Sequence, residues 1–123
     1  MNGNALRRLC RSFRAVTEEH PWGPEDTVFK VGGKAFAFTG TSDPTGVTLK
    51  FDIGDVEPLR QLYPRTVTVP HYLTRGGWSN VKLDGTVPDD ELRAWVRRSY
   101  EIVAAGLTRK LRTELGIEVP PKG

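Results

Sequence analysis

Residues 27–39 read Thr-Val-Phe-Lys-Val-Gly-Gly-Lys-Ala-Phe-Ala-Phe-Thr. Two runs rich in β-branched and aromatic side chains, residues 27–31 and 34–39, are separated by the pair Gly32-Gly33. Such runs favour β-strands, and two glycines readily adopt the positive φ angles that a two-residue hairpin turn requires. The stretch therefore predicts a β-hairpin, and with it a fold built around an antiparallel sheet.

The side chains of this hairpin are expected to divide between two faces, because successive residues of a strand point to opposite sides. Phe29 and Val31 should share one face of the first strand, and Phe36 and Phe38 should share one face of the second. The two lysines beside the turn suit a wing that enters a DNA groove, although lysines at a strand end also serve solubility alone.

Helical periodicity is present on both sides of the hairpin. Before it, apolar residues recur at steps of three and four over residues 4 to about 19, which predicts a helix. After it, a short helix capped by Asp55 is expected to end before Pro64. Pro88 suits the first position of the longest helix, which Gly106 should end.

Three further strands are expected, at residues 47–52, 66–69 and 78–83. The order is then helix, three strands, short helix, one or two strands and long helix, with short connections between strands. This order predicts an α+β protein: a single antiparallel β-sheet with N- and C-terminal helices packed on one face, in a two-layer sandwich. A doubly wound parallel sheet would need longer crossovers.

Length and composition indicate one domain. The 123 residues suffice to bury about two thirds of the unfolded surface. The folded core is expected to span residues 5–113, with residues 114–123 as a tail. The single cysteine, Cys10, forms no internal disulfide and lies on the apolar side of the first helix. No apolar run reaches the ~20 residues of a membrane-spanning helix, so a cytoplasmic protein without a membrane partner is expected.

The charge is modest in sum but segregated. The net charge of +3 is below that of proteins that bind nucleic acid by charge alone. Residues 71–83 read His-Tyr-Leu-Thr-Arg-Gly-Gly-Trp-Ser-Asn-Val-Lys-Leu, with three cationic or titratable bases, two polar aromatics and no acid. That composition suits the phosphates and bases of a nucleic acid, or an acidic protein surface. A tight strand connection whose aromatic residues cover the core edge is the structural alternative.

Neither a metal site nor a catalytic centre is predicted. Glu18, Glu19 and His20 are adjacent, so their side chains point in different directions, and no second histidine stands at a ligand spacing. Cys10 faces the predicted core, and the chain has no nucleophile elbow and no phosphate-binding glycine loop before a helix. We therefore expect a protein that is not an enzyme and needs no cofactor or metal.

A set of short motifs occurs in order along the chain: Pro21-Trp22-Gly23, residues 28–37, Val47-Thr48-Leu49-Lys50, Tyr63-Pro64, His71-Tyr72-Leu73, Trp78, Leu83-Asp84-Gly85, Pro88-Asp89-Asp90 and Ser99-Tyr100. In order and spacing the set resembles the MmcQ/YjbR family over about residues 6 to 112. The resemblance implies a fold similar to CyaY and frataxin, and it implies DNA binding by likeness to a double-wing domain. One departure is Gly76-Gly77, which stands where the family often has a basic residue before the tryptophan.

The resemblance to frataxin does not extend to iron. Frataxin-like proteins are expected to hold iron through acids of the first helix and first strand. The first helix here instead carries four arginines on its outer side, namely Arg7, Arg8, Arg11 and Arg14. These charges would repel a metal cation.

DNA binding is the leading hypothesis, with cations on phosphates and aromatic rings against bases. The candidate residues are Lys30, Lys34, Arg65, His71, Tyr72, Arg75, Trp78 and Lys82. The alternative is a protein-protein interaction or regulatory module that presents the same aromatic-basic surface to an acidic protein partner.

Overall fold

The computed structural model describes residues 1–23, 26–39, 46–70 and 76–118. Its helices are α1 (Gly3–Ser12), α2 (Ile53–Leu62), α3 (Asp89–Ala105) and α4 (Arg109–Leu115). Its strands are β1 (Val16–Glu19), β2 (Thr27–Val31), β3 (Lys34–Thr39), β4 (Gly46–Lys50), β5 (Val67–Thr68) and β6 (Trp78–Lys82). The six strands form one antiparallel sheet in the order β1-β2-β3-β4-β6-β5, which confirms the predicted α+β class.

The helices cover one face of the sheet, as predicted. Tyr100 of α3 packs edge-on against Phe36 of β3, with ring centroids 5.4 Å apart, and stacks on Phe13, just after α1, at 4.9 Å. Trp95 of α3 contacts Tyr63, just after α2, at 5.9 Å. The core between the two layers contains the fully buried side chains of Leu6, Cys10, Phe29, Val31, Phe36, Leu49, Val81 and Val96.

The first helix is shorter than predicted, because β1 takes its last residues. α1 ends at Ser12, and Ala15 has a left-handed φ of 61° that redirects the chain. Val16 and Thr17 then pair with β2 along its outer edge. The prediction of a helix to about residue 19 is therefore wrong. Val16 fits the helical spacing of apolar residues only by coincidence. Its β-branched side chain, and that of Thr17, instead favour the strand that β2 offers.

A bulge in β3 separates Phe36 from Phe38. The register between β2 and β3 shifts after Phe29, which leaves Phe36 as an extra residue in β3. Phe36 is fully buried under the helices, 6.1 Å from the ring of Phe13, whereas Phe38 contacts Trp78 on the other side of the sheet. The prediction that the two phenylalanines share a face is wrong because strict alternation assumes an unbroken ladder.

A serine of α3 satisfies backbone groups beside this bulge. The buried hydroxyl of Ser99 donates a hydrogen bond to the carbonyl of Phe36 at 2.6 Å. It also accepts one from the backbone N–H of Lys50 at 2.9 Å. One side chain therefore fastens α3 to both β3 and the end of β4.

Replacing Ser99 by alanine is expected to lower the free energy of unfolding by about 1–3 kcal/mol, because a carbonyl and an N–H lose their partner inside the protein. The measurement is urea unfolding of both proteins. Ser12→Ala is the matched control, since its hydroxyl is exposed and bonds only to the carbonyl of Leu9 in its own helix. Equal midpoints for the two variants would contradict the bridging role.

An ion pair connects α2 to α3. Asp52, the N-cap residue of α2, receives two hydrogen bonds of 2.8 Å from the guanidinium of Arg98. The helix thus starts earlier than predicted, and Asp55 lies in its first turn instead of at the cap. The hydrogen bonds from Arg98 hold the pKa of Asp52 below its usual value.

Because the folded-state pKa of Asp52 is lowered, its contribution to stability is present above the unfolded pKa of about 4 and is lost as the pH falls through the folded value. Both side chains are nearly half exposed, so the contribution is expected to stay below about 1 kcal/mol. Unfolding of wild type and Asp52→Asn should differ at pH 7 and converge in acid. A difference that does not change with pH would refute this origin.

The folded chain extends beyond the predicted core limit at residue 113. Gly116 ends α4 with a left-handed φ of 67°, and the N–H of Ile117 bonds to the carbonyl of Arg112 at 2.9 Å. Ile117 is buried, with 8% of its surface exposed. The left-handed cap returns an apolar residue to the core. The assignment of residues 114–118 to a tail is therefore wrong. Residues 119–123 lie outside the described part.

Candidate nucleic-acid interface

The second face of the sheet carries the strand residues that point away from the helices. We call it the open face and define it by the side chains that the strand register places together: Thr17, Glu19, Val28, Lys30, Ala35, Phe38, Thr48, Lys50, Thr68, Trp78, Asn80 and Lys82. A row of four crosses neighbouring strands, since Phe38 pairs with Thr48, Thr48 with Asn80, and Asn80 with Thr68. Val28 and Glu19 continue this row through β2 and β1, so the open face spans all six strands.

Two aromatic rings lie near the centre of the open face. Trp78 and Phe38 pack edge to face, with ring centroids 5.5 Å apart and planes at 69°. The ammonium of Lys50, the register partner of Trp78, is 5.8 Å from the centre of the Trp78 ring. Both rings are half-buried. The two rings therefore form an aromatic surface with a cation over the indole ring.

Three lysines lie on three different strands of the open face. Lys82 is exposed, and Lys30 and Lys50 are half-buried. The ammonium of Lys30 is 3.1 Å from the carboxylate of Glu19. Glu19 is the one acid among the open-face residues that the structure describes. The face therefore keeps a net positive charge.

The candidate residues from the sequence divide into three groups. Lys30, Trp78 and Lys82 come together on the open face. Lys34 and Arg65 are exposed, the first beside the hairpin turn and the second before β5. The remaining candidates, His71, Tyr72 and Arg75, lie outside the described residues.

Among the lysines and aromatic residues of the open face, Lys50 and Phe38 are absent from the candidates predicted from the sequence. The alternation Val47-Thr48-Leu49-Lys50 places Lys50 on the polar face of its strand. The sequence alone therefore sufficed to assign Lys50 to the open face. Phe38 could not be assigned, because its face depends on the bulge at Phe36.

The hairpin turn is not a free projection. A Cβ at Gly32 would lie 2.7 Å from a methyl carbon of Leu107 and 3.2 Å from one of Leu111, so the turn packs closely on the α3–α4 region. A wing that enters a DNA groove would need to stand clear of the domain. Of the two lysines expected there, Lys30 instead lies on the open face beside Glu19.

Two of the four arginines in the segment predicted as the first helix, one in α1 and one in the turn after it, make internal contacts. The Nε of Arg11 is 2.6 Å from the Glu18 carboxylate, and hydrogen bonding to Arg11 lowers the pKa of Glu18. The Nε of Arg14 donates to the carbonyl of Leu115 at 3.3 Å. Two of the four arginines therefore contribute to holding α1 against β1 and α4.

A shallow groove of about 290 Å³ adjoins the open face at Trp78, between α2 and the turn formed by Gly76 and Gly77. Arg60 of α2 lines this groove and donates to the carbonyl of Trp78 at 3.1 Å and to the hydroxyl of Ser79 at 3.0 Å. Arg60 thus fixes the start of β6, and with it the position from which the indole extends.

The described residues contain no group of three or more metal-ligating side chains. Burial raises the pKa of the Cys10 thiol to about 12, so the thiol stays protonated at neutral pH and is a weak nucleophile. No described helix has both the length and the apolar character to cross a membrane.

Together these features define a class of two-layer α+β protein, with helices on one face of a single antiparallel sheet and basic and aromatic side chains on the other. The chain belongs to the YjbR family, whose model matches residues 11–102.

Comparisons with individual proteins agree with this family and fold. A crystallised Deinococcus radiodurans protein, DR2400, with a DUF419 domain, is 34% identical and superposes with a TM-score of 0.88, covering 99% of this chain and 93% of its own. The uncharacterized protein YbdF of Escherichia coli O157:H7 is 29% identical over 107 residues, or 85% of each chain. A crystallised Pseudomonas syringae protein, 20% identical, shares the fold with a TM-score of 0.63 over 84% of this chain and 99% of its own.

Proposed function

We propose that this protein is a non-catalytic DNA-binding domain that contacts DNA phosphates through its open face. The observation that carries the proposal is the placement of Lys30, Lys50 and Lys82 on the same face of the sheet as the rings of Trp78 and Phe38, with Lys50 over the Trp78 ring. Ammonium groups attract phosphates without regard to sequence, and aromatic rings bind bases by stacking. The open face offers both kinds of group on one surface.

The distribution of acids supports this choice of face. Two acids, Asp55 and Glu57, lie on α2, and three occupy the first turn of α3. These carboxylates repel phosphates. On the described open face, by contrast, Glu19 is the single acid, and it is paired with Lys30. Carboxylates thus disfavour DNA at α2 and at the start of α3, whereas the described open face carries three lysines against one acid.

Replacing Lys50 or Lys82 by alanine is expected to weaken DNA binding and to reduce the slope of log affinity against log salt by about one unit, since each lost phosphate contact releases one fewer counterion. The measurement is fluorescence anisotropy of labelled DNA between about 50 and 200 mM salt, the range where phosphate contacts lose most affinity. Lys110→Ala is the matched control, because Lys110 is exposed on α4.

Binding whose slope is the same in all three variants and wild type would refute the assignment of Lys50 and Lys82. Absence of DNA binding at the lowest salt would overturn the proposal itself.

A second candidate function is protein-protein interaction. Ile53 and Leu62 on α2 and Val69 after β5 are large apolar side chains that are 77%, 66% and 51% exposed. Exposed apolar residues of this kind favour a protein partner, and an acidic partner would complement the lysines of the open face. Measuring DNA binding distinguishes the two functions, because a protein-interaction module would bind little or no DNA.

A further inference from the structure

Resting on the proposed function, we infer that the open face prefers single-stranded DNA to duplex DNA, and that Trp78 stacks on an unpaired base. The inference depends on the width of the sheet, on the absence of a free groove-reading element among the described residues, and on the contacts of Trp78.

The sheet is too wide to enter a groove. Its six hydrogen-bonded strands, spaced by about 4.8 Å, span roughly 24 Å. The major groove of B-DNA is about 12 Å wide and the minor groove about 6 Å. The open face can therefore touch a duplex only along its phosphates. In that arrangement Trp78 and Phe38 would meet no base surface, because the bases of a duplex are stacked on one another.

Neither the hairpin turn nor α1 offers a ready alternative. The β2–β3 turn packs against Leu107 and Leu111, so it cannot extend into a groove without leaving the domain. Arg11 of α1 is paired with Glu18, and Arg14, in the turn after α1, donates to the carbonyl of Leu115, which leaves Arg7 and Arg8 as the surface cations of α1. Through the hairpin turn, α1 and the open face, the residues that the structure describes would thus bind a duplex by surface charge alone.

A single strand can use the whole open face. Its bases are free to leave their neighbours and stack on an aromatic ring, as in proteins that bind single strands on an open sheet. The ammonium of Lys50 lies over the Trp78 ring, 5.8 Å from its centre. When a base stacks on the ring, this ammonium moves aside and can contact the adjacent phosphate. Thr48 and Asn80, side by side in the central row, supply hydrogen-bonding groups for base edges.

The number of lysines sets the expected salt dependence. If Lys30, Lys50 and Lys82 each neutralise one phosphate, a single strand should be bound with a slope of about −2 in log affinity against log salt. Lys30 must release Glu19 to take part. The full slope of about −2 is therefore reached only if the DNA displaces Glu19 from Lys30.

The test compares a labelled, non-self-complementary single strand with its own duplex, by anisotropy at one salt concentration. We expect wild type to bind the single strand at least tenfold more tightly. Trp78→Ala should weaken single-strand binding by about tenfold, the loss of one stacked base, and leave duplex binding nearly unchanged. Trp78→Phe should keep most of the affinity, because a ring remains.

Trp22→Ala is the matched control, since Trp22 is 69% exposed in the β1–β2 turn, three strands away from β6. Circular dichroism verifies that each variant is folded. Duplex binding as tight as single-strand binding would overturn this inference and leave the proposed function standing. Loss of affinity equal for both DNA forms in Trp78→Ala would overturn the stacking role. No binding to either form would overturn the proposed function as well.

Discussion

Replacing Gly77 by alanine is expected to lower the free energy of unfolding by about 3 kcal/mol. Gly77 has a φ of 81°, and a Cβ at this position would lie 2.3 Å from the carbonyl oxygen of Phe51. The neighbouring backbone cannot retreat easily, because the N–H of Phe51 donates to the carbonyl of Gly77 at 2.9 Å. Thermal or urea unfolding measures the loss.

Gly33→Ala is the control, because Gly33 has the same φ of 81° but no atom within 4 Å of the added Cβ. It isolates the backbone strain, which should cost about 1 kcal/mol. The difference between the two variants then reports the overlap with Phe51. Equal losses would show that Gly77 is not packed against the end of β4 as described.

Replacing Trp95 by alanine is expected to cost about 3 kcal/mol of unfolding free energy, the lower end of the range for deleting a large aromatic side chain, because Trp95 is half-buried against the core. The Trp95 ring meets Phe51 at 5.5 Å and Tyr63 at 5.9 Å, in both cases edge to face. It therefore joins α3 to the residues that flank α2. The measurement is equilibrium unfolding in urea.

Trp22→Ala serves as the control here too. Trp22 is 69% exposed, so its removal should change stability by no more than about 0.5 kcal/mol. If the two tryptophan variants unfolded at the same urea concentration, the packing of Trp95 on Phe51 and Tyr63 would be contradicted.

Local signals in the sequence predicted most elements of the fold. The glycine pair after Val31 predicted the hairpin, and Pro88 predicted the start of the longest helix, α3. The order of the elements then predicted a sheet with helices on one face. These features depend on neighbours in the chain, which is why periodicity and turn residues reveal them.

Features that depend on distant partners could not be predicted. The strand at Val16 exists because β2 pairs with it, and the bulge at Phe36 exists where α3 provides the hydroxyl of Ser99. Both partners are remote in sequence. The composition of the open face follows from the bulge, so Phe38 joins Trp78 there only once the register is known.

Several residues of the family-like motifs have structural roles. Ser99 satisfies backbone groups of β3 and β4, and the hydroxyl of Tyr100 donates to the carbonyl of Arg14 at 2.6 Å. Tyr63 donates to the carboxylate of Glu91 at 3.1 Å. These contacts hold the helices to the sheet. A resemblance that rests on such residues therefore indicates a shared fold more directly than a shared binding surface.

The most direct test of where DNA binds is NMR mapping of backbone amides during titration with a short single-stranded oligonucleotide. The open-face account predicts the largest shifts in β4 and β6, around Lys50, Trp78 and Lys82, together with a shift of the Trp78 indole N–H. Amides of α1 and α3 on the other side of the sheet should change little. Shifts centred on the α1 arginines, with β4 and β6 unaffected, would contradict the account.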